Sequence, residues 1–406
     1  MEICSKCINN IPIKIINTNK FKCVNIELFF TRKLDYKDIA PYNLLVNILT
    51  SRNAKYPSIS AFSSYKENNY GLSVNGSFSS RGDMSIFNLR VNSINSKFSL
   101  NDDLLSVQIE TLKDCLYSPL FTEEVLDEIK EIYISKLKDR ANKKTYILKK
   151  KINEVLGTNN PYGVDIESNI EDISNVTLAD VKRVYETIFS SKCSIYVVGQ
   201  VDNDKLISAF DFIKLKENTD ELEYSYLKTI EESKYEYESK FLQSAISLIY
   251  ECNIIHSDRL YYASKVFVEM LNYDLFNIIR EKYNYCYYIY AISNNYLNTI
   301  EIVSEIESKN FEDVIRITNE IIDGYKEDKT NDFLVTKNKI LNLIKSNEDN
   351  ARDMALVYFG FDFNKSVSSI EELKNKYEAV NYEEVKEVSK MMKLKMASIL
   401  KEANHE

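Results

Sequence analysis

The chain has 406 residues, 44% of them hydrophobic, with 61 acidic against 52 basic side chains and a formal net charge of -9. A length beyond what one hydrophobic core fills predicts two or more domains, and the acidic balance argues against nucleic acid as a partner. No cationic start followed by an apolar run and no stretch of about 18 apolar residues is present, so neither secretion nor membrane insertion is indicated, and a cytoplasmic location is expected.

At the amino terminus, Cys4 and Cys7 have C-x-x-C spacing, with Cys23 not far along. A structural zinc needs four soft ligands; no second pair follows, and the two histidines, His256 and His405, are remote in sequence. With seven cysteines, an odd number spread over a long chain, free thiols are expected rather than a disulfide framework, and no metal or other cofactor.

The first strand runs over Phe21–Phe30, alternating and then continuously apolar. A helix follows at about Tyr36 to Thr50, then a short helix beyond Pro57. Two strands lie around Gly71 to Phe78 and Met84 to Ile94, with Arg81-Gly82-Asp83 as the turn. Helical stripes follow, one through Leu104, Ile109, Leu112 and Leu116, another through Val125, Ile129, Ile132 and Leu137. Thr177-Leu178-Ala179-Asp180 has capping-box form and opens a helix that leads into a strand from Cys193 to Gly199. The charged stretch Lys216 to Lys240 reads as a linker.

What comes next copies the first half. Phe241, Ile246, Leu248, Ile249 and Tyr250 repeat the pattern of Phe21, Ile26, Leu28, Phe29 and Phe30. Near the end, Val380-Asn381 with Glu384, Val385 and Val388 repeats Val176-Thr177 with Asp180, Val181 and Val184. The expectation is an α+β protein of two related domains, 1–215 and 241–406, each of about 200 residues and joined by the linker 216–240.

Several strings then resemble a known family. Asn160-Pro161-Tyr162-Gly163, the block Ile173 to Val181, and Tyr196 to Asp202 look like the end of a first insulinase-like (pitrilysin) domain, while Leu275 to Lys282 followed by Tyr283 to Tyr290 is similar to the family's arginine-to-tyrosine segment. Phe21-Lys22, Tyr56-Pro57-Ser58, Asn69-Tyr70-Gly71 and the stretch from Leu137 to Lys144 resemble the short non-catalytic bacterial members, associated with elongation-factor-P modification or ribosomal-peptide maturation. The resemblance implies two homologous domains, each a mainly antiparallel sheet flanked by helices, forming half of a clamshell.

Active relatives hold zinc with an H-x-x-E-H helix whose glutamate is the general base. Counted back from Tyr56-Pro57, that window falls on Asn43-Leu44-Leu45-Val46-Asn47. Asparagine is a poor zinc ligand and valine takes no proton from water, so Asn43, Val46 and Asn47 mark a degenerate site and the chain is expected to be no enzyme. Glu124, Glu128 and Glu131, in the region of the family's third ligand, read as a solvated helix face. The resemblance gives Arg280 and Tyr287 a possible substrate-binding role, because a guanidinium and a phenol stabilise negative charge on a carbonyl oxygen. The same two residues read otherwise as a helix-end cation and a core-covering tyrosine. The expected partners are a homologous zinc-bearing metallopeptidase subunit and a peptide or protein substrate. The competing readings are a scaffold with no part in proteolysis and, more remotely, a thiol enzyme around Cys4, Cys7 and Cys23.

Overall fold

In the computed structural model, which describes residues 1–100, 103–157, 163–216, 218, 220–221 and 232–403, one order of elements occurs twice. Asn160, Pro161, Tyr162, most of the charged stretch before Glu232, and His405 lie outside the described residues. The first pass runs β1 (Glu2–Ile8), β2 (Ile11–Asn17), β3 (Cys23–Lys33), α1 (Ile39–Ser51), α2 (Ile59–Asn68), β4 (Ser73–Arg81), β5 (Met84–Ile94), α3 (Leu104–Tyr117), α4 (Glu123–Arg140), α5 (Lys144–Leu156), α6 (Ile170–Asn175), α7 (Leu178–Ile188), β6 (Lys192–Gly199) and α8 (Asn203–Ala209). The second runs β7 (Ser233–Glu238), β8 (Ser244–Glu251), α9 (Tyr261–Leu275), β9 (Cys286–Asn294), β10 (Thr299–Ile306), α10 (Phe311–Asp323), α11 (Thr330–Ser346), α12 (Ala351–Asn364), α13 (Ile370–Ala379), α14 (Tyr382–Met391) and β11 (Lys393–Lys401).

Two sheets result, ordered β1-β2-β6-β3-β5-β4 and β7-β11-β8-β10-β9. Both are antiparallel except at one junction each, where β2 runs parallel to β6 and β7 parallel to β11. The fold is therefore the expected α+β arrangement of two sheets flanked by helices. Among the described residues, no helix is long and apolar enough to cross a membrane.

The same local chemistry closes both passes. Thr177 accepts from the Asp180 backbone amide while Asp180 accepts from that of Thr177, and Asn381 and Glu384 repeat the reciprocal pair at the start of α14. Gly82, with a φ of 60°, supplies the left-handed residue that the β4–β5 turn requires. Three strands depart from the sequence reading: β1 and β2 precede the first strand expected, and β7 lies inside the charged stretch expected to be a linker. Its alternation places Tyr235 and Tyr237 on one face between exposed charges, and it pairs with β11 through Met396 to Lys401.

The chain forms two compact units, neither continuous in sequence. One comprises Met1–Leu137, Ile166–Glu223 and Ser346–Phe363, the other Lys138–Asp165, Tyr224–Lys345 and Asn364–Glu406. Each sheet has a thick apolar layer on one face and a helix from the opposite pass on the other. In the first unit, Ile26, Leu28 and Phe30 of β3 point into the layer formed with α1, α3 and α7. The other face meets α12, where the Phe29 and Phe359 rings stack at 3.9 Å, and Asp362 accepts from Tyr196 at 2.7 Å and from Lys14 at 2.6 Å. In the second unit, Leu148 and Ile152 of α5 cover Ala245, Ile249, Met396 and Leu400. Lys144 pairs with Glu305 to pin one end of that helix.

Two measurements probe this packing. Phe359→Ala removes a stacked ring from a buried position and should lower unfolding free energy by about 3 kcal/mol in urea denaturation. At the end of β11, Glu402 accepts from the hydroxyls of Ser244 and Ser308 and from the Ser308 amide at 3.1 Å. Burial raises its pKa, but these hydrogen bonds outweigh burial and bring it from 4.5 to about 2. A depressed carboxyl pKa stabilises fully above the unfolded value and loses that contribution as pH falls through the folded one. Glu402→Gln should therefore flatten the fall in stability between about pH 4.5 and pH 2.

Candidate functional site

The expected zinc-helix window sits on α1 with Asn43, Val46 and Asn47 on one face. Each side chain is occupied by packing. Asn43 is buried and donates from Nδ2 to the Ile39 carbonyl at 3.1 Å and the Ile166 carbonyl at 2.8 Å; Asn47 donates to the Asn43 carbonyl at 2.7 Å. Val46 presses on β4 at Gly76, where an added Cβ would stand 3.0 Å from Val46 Cγ1 and 3.2 Å from Thr50 Cγ2. Glycine permits this approach because it has no side chain to collide with the helix.

On α4, Glu124, Glu128 and Glu131 are all exposed, as a solvated face requires. Glu128 also accepts from the buried Arg52 just beyond the end of α1, at 2.7 Å. Among the described residues, no group of three or more His, Cys, Asp and Glu side chains is placed to hold a metal ion. His256 lies in the other unit, its ring 4.6 Å from those of Tyr261 and Tyr296. Cys4 and Cys7 are both on β1, where residues three apart project to opposite faces, and Cys23 starts β3. The C-x-x-C pair is therefore splayed by its own strand. Cys115, on the buried face of α3, has its thiol pushed up to about 12 by burial.

Arg280 and Tyr287 flank a change of helical form. After Leu275, α9 continues as a π-helical turn, Phe276–Lys282, a form concentrated at functional sites. The Arg280 guanidinium lies over the Phe276 ring at 4.5 Å, and its Nε is 3.7 Å from Glu281, too long for a strong pair. Strand β9 follows. Simple alternation would bury Tyr287 beside Ile289 and Ala291, but the β9–β10 register shifts between Ser304 and Ile306, leaving an extra residue in β9. Such a bulge re-aims side chains. Tyr287 is accordingly 85% exposed, while Ile289 and Ala291 are buried. No hydrogen bond joins Arg280 to Tyr287 among the described residues; Arg280 rests on Phe276, and Tyr287 stands in solvent.

Two features were missed in the sequence. Asn272 of α9 accepts from the Ala291 amide at 2.6 Å and donates to the Ala291 carbonyl at 3.1 Å, so its carboxamide stands in for a strand partner on the outer edge of β9. Glu27, wholly buried in β3, was signalled only by being a charge inside an apolar run.

Residues 175–341 match the family described as peptidase M16 inactive domain. A Bacillus subtilis (strain 168) protein named probable inactive metalloprotease YmfF is 24% identical over 334 residues, 79% of this chain and 78% of that one. Among solved structures, a conserved protein from Enterococcus faecalis V583 is similar with a TM-score of 0.89 at 20% identity, and a peptidase M16 inactive domain from Pseudomonas fluorescens with 0.81 at 14%; each comparison covers 100% of both chains.

The packing role of the α1 face is measurable. Asn43→Ala leaves the Ile166 carbonyl without its donor and should cost about 1–2 kcal/mol in denaturant unfolding. Zinc added to the wild-type chain should leave its melting temperature unchanged.

Proposed function

We propose that this chain, an inactive homologue of the peptidase M16 (insulinase-like) metallopeptidases, serves as the non-catalytic subunit of a two-component zinc peptidase. It helps bind peptide or protein substrate for a homologous partner that carries the zinc. In this proposal the repeated domains are 1–215 and 241–406, the second completed by β7 from the stretch before it, and the setting is cytoplasmic.

The exposure of Tyr287 is the observation that carries the reading. A tyrosine serving only the core would stay on the buried side of β9, whereas a bulge delivers this phenol to solvent. Arg280 supports it. Its guanidinium lies over Phe276 and retains N–H donors for an incoming carbonyl or carboxylate. Donors of this kind stabilise charge developing on a substrate oxygen without being consumed. They need a zinc-activated water opposite them, and the α1 face has neither the ligands nor the base for one.

The test mixes the purified chain with a homologous peptidase bearing an intact H-x-x-E-H helix and measures cleavage of a fluorogenic peptide. Zinc-dependent turnover is expected only in the mixture. Arg280→Ala and Tyr287→Phe should each lower it by roughly 10- to 100-fold, with circular dichroism unchanged. Full turnover with both variants would remove these residues from the site, and failure to associate with any such peptidase would return the chain to the scaffold reading.

A further inference from the structure

The face of the first sheet that meets α12 is polar at its centre. Register places Glu27 of β3, Arg90 of β5 and Asn75 of β4 directly opposite one another, so their side chains share this face. Glu27 is completely buried, and burial raises its pKa, opposed by the hydrogen bonds from Asn25 and Asn88. Both of its oxygens are taken by amides: Asn25 donates to Oε1 at 3.2 Å and Asn88 to Oε2 at 2.9 Å.

Arg90 is left with its donors unspent. It makes no hydrogen bond or ion pair among the described residues, and its Nε is buried without a partner. Burial pushes its pKa down; the Glu27 charge works against that shift and the nearby Arg352 guanidinium works with it. Two arginines thus share the field of one carboxylate that is already satisfied. A buried donor without a partner costs stability, on the order of 1–3 kcal/mol.

The surroundings say what fits. Asn75 and Ser77, both exposed, lie beside Arg90 on β4, the outer strand of the sheet, so this end of the face is open to an extended chain. We propose that Arg90, flanked by Asn75 and Ser77, is a binding site for a carboxylate carried by an acidic peptide segment. The two terminal Nη groups of the guanidinium, which are not sealed as Nε is, form a forked pair with the carboxylate. The neighbouring carboxamide and hydroxyl offer both donors and acceptors to the adjoining peptide groups. Asn25 and Asn88 are positioning residues: by satisfying Glu27 they keep it from closing onto Arg90.

The inference deepens the proposed substrate-binding role by naming the substrate's charge, but it is tested on the chain alone, without any partner. Binding of a fluorescein-labelled peptide rich in glutamate is compared with that of its glutamine-substituted counterpart by anisotropy, using wild type, Arg90→Gln and Arg90→Lys. Wild type should prefer the acidic peptide by about tenfold or more; Arg90→Gln should abolish the preference and Arg90→Lys restore only part of it. The melting temperature of Arg90→Gln should equal or exceed that of wild type, since an unpartnered guanidinium is removed. Equal binding of the two peptides, a fall in melting temperature with no change in preference, or displacement of the acidic peptide by equimolar inorganic phosphate would overturn the assignment. Peptide preference retained by a chain that activates no peptidase would overturn the partnership and leave this site standing.

Discussion

The central strand of each sheet is buried on both faces, and the demand for two coverings organises the chain. A sheet with one open face can alternate apolar and polar residues; a doubly covered one needs material on each side. Here one side is filled by the helices that follow the strands in the same pass. The other is filled by one helix from the opposite pass, α12 on the first sheet and α5 on the second. The chain's two passes are therefore not separate packing units, although each supplies all the strands of one sheet. The Phe29–Phe359 stack and the Leu148–Ile152 cluster are where that exchange is held.

Local chemistry was legible in the sequence because it needs only neighbours. The capping boxes at Thr177 and Asn381, the turn at Gly82 and the amphipathic stripes of α3 and α4 all came from short-range pattern. The repeat was legible for the same reason, since it restates such patterns. Strands β1, β2 and β7 were not: Pro12 interrupts the alternation of Ile11, Ile13 and Ile15, and in β7 the two tyrosines are hidden among charges. Long-range register was beyond reach. The bulge that exposes Tyr287 depends on the pairing of β9 with β10, and the meeting of Glu27, Arg90 and Asn75 depends on three strands at once.

The α1 face is closed by packing. No zinc ligand set stands on it among the described residues, and its side chains serve the fold instead. Val46 fills the approach to Gly76, Asn43 bridges to the Ile166 carbonyl, and Arg52 holds Glu128 on the neighbouring helix. Building a metal site there would need more than replacing three side chains. The proposed binding chemistry lies elsewhere, at the π-helical turn and bulged strand around Arg280 and Tyr287 and at the guanidinium of Arg90.

The central claim is that this chain contributes binding surface and no metal chemistry. The most direct measurement is the zinc content and peptide cleavage of the purified chain, of a zinc-bearing homologue, and of the complex between them. The account predicts no stoichiometric zinc and no cleavage for the chain by itself, and a complex whose zinc is all accounted for by the homologue. Stoichiometric zinc bound by this chain alone, or metal-dependent cleavage in the absence of any partner, would contradict it.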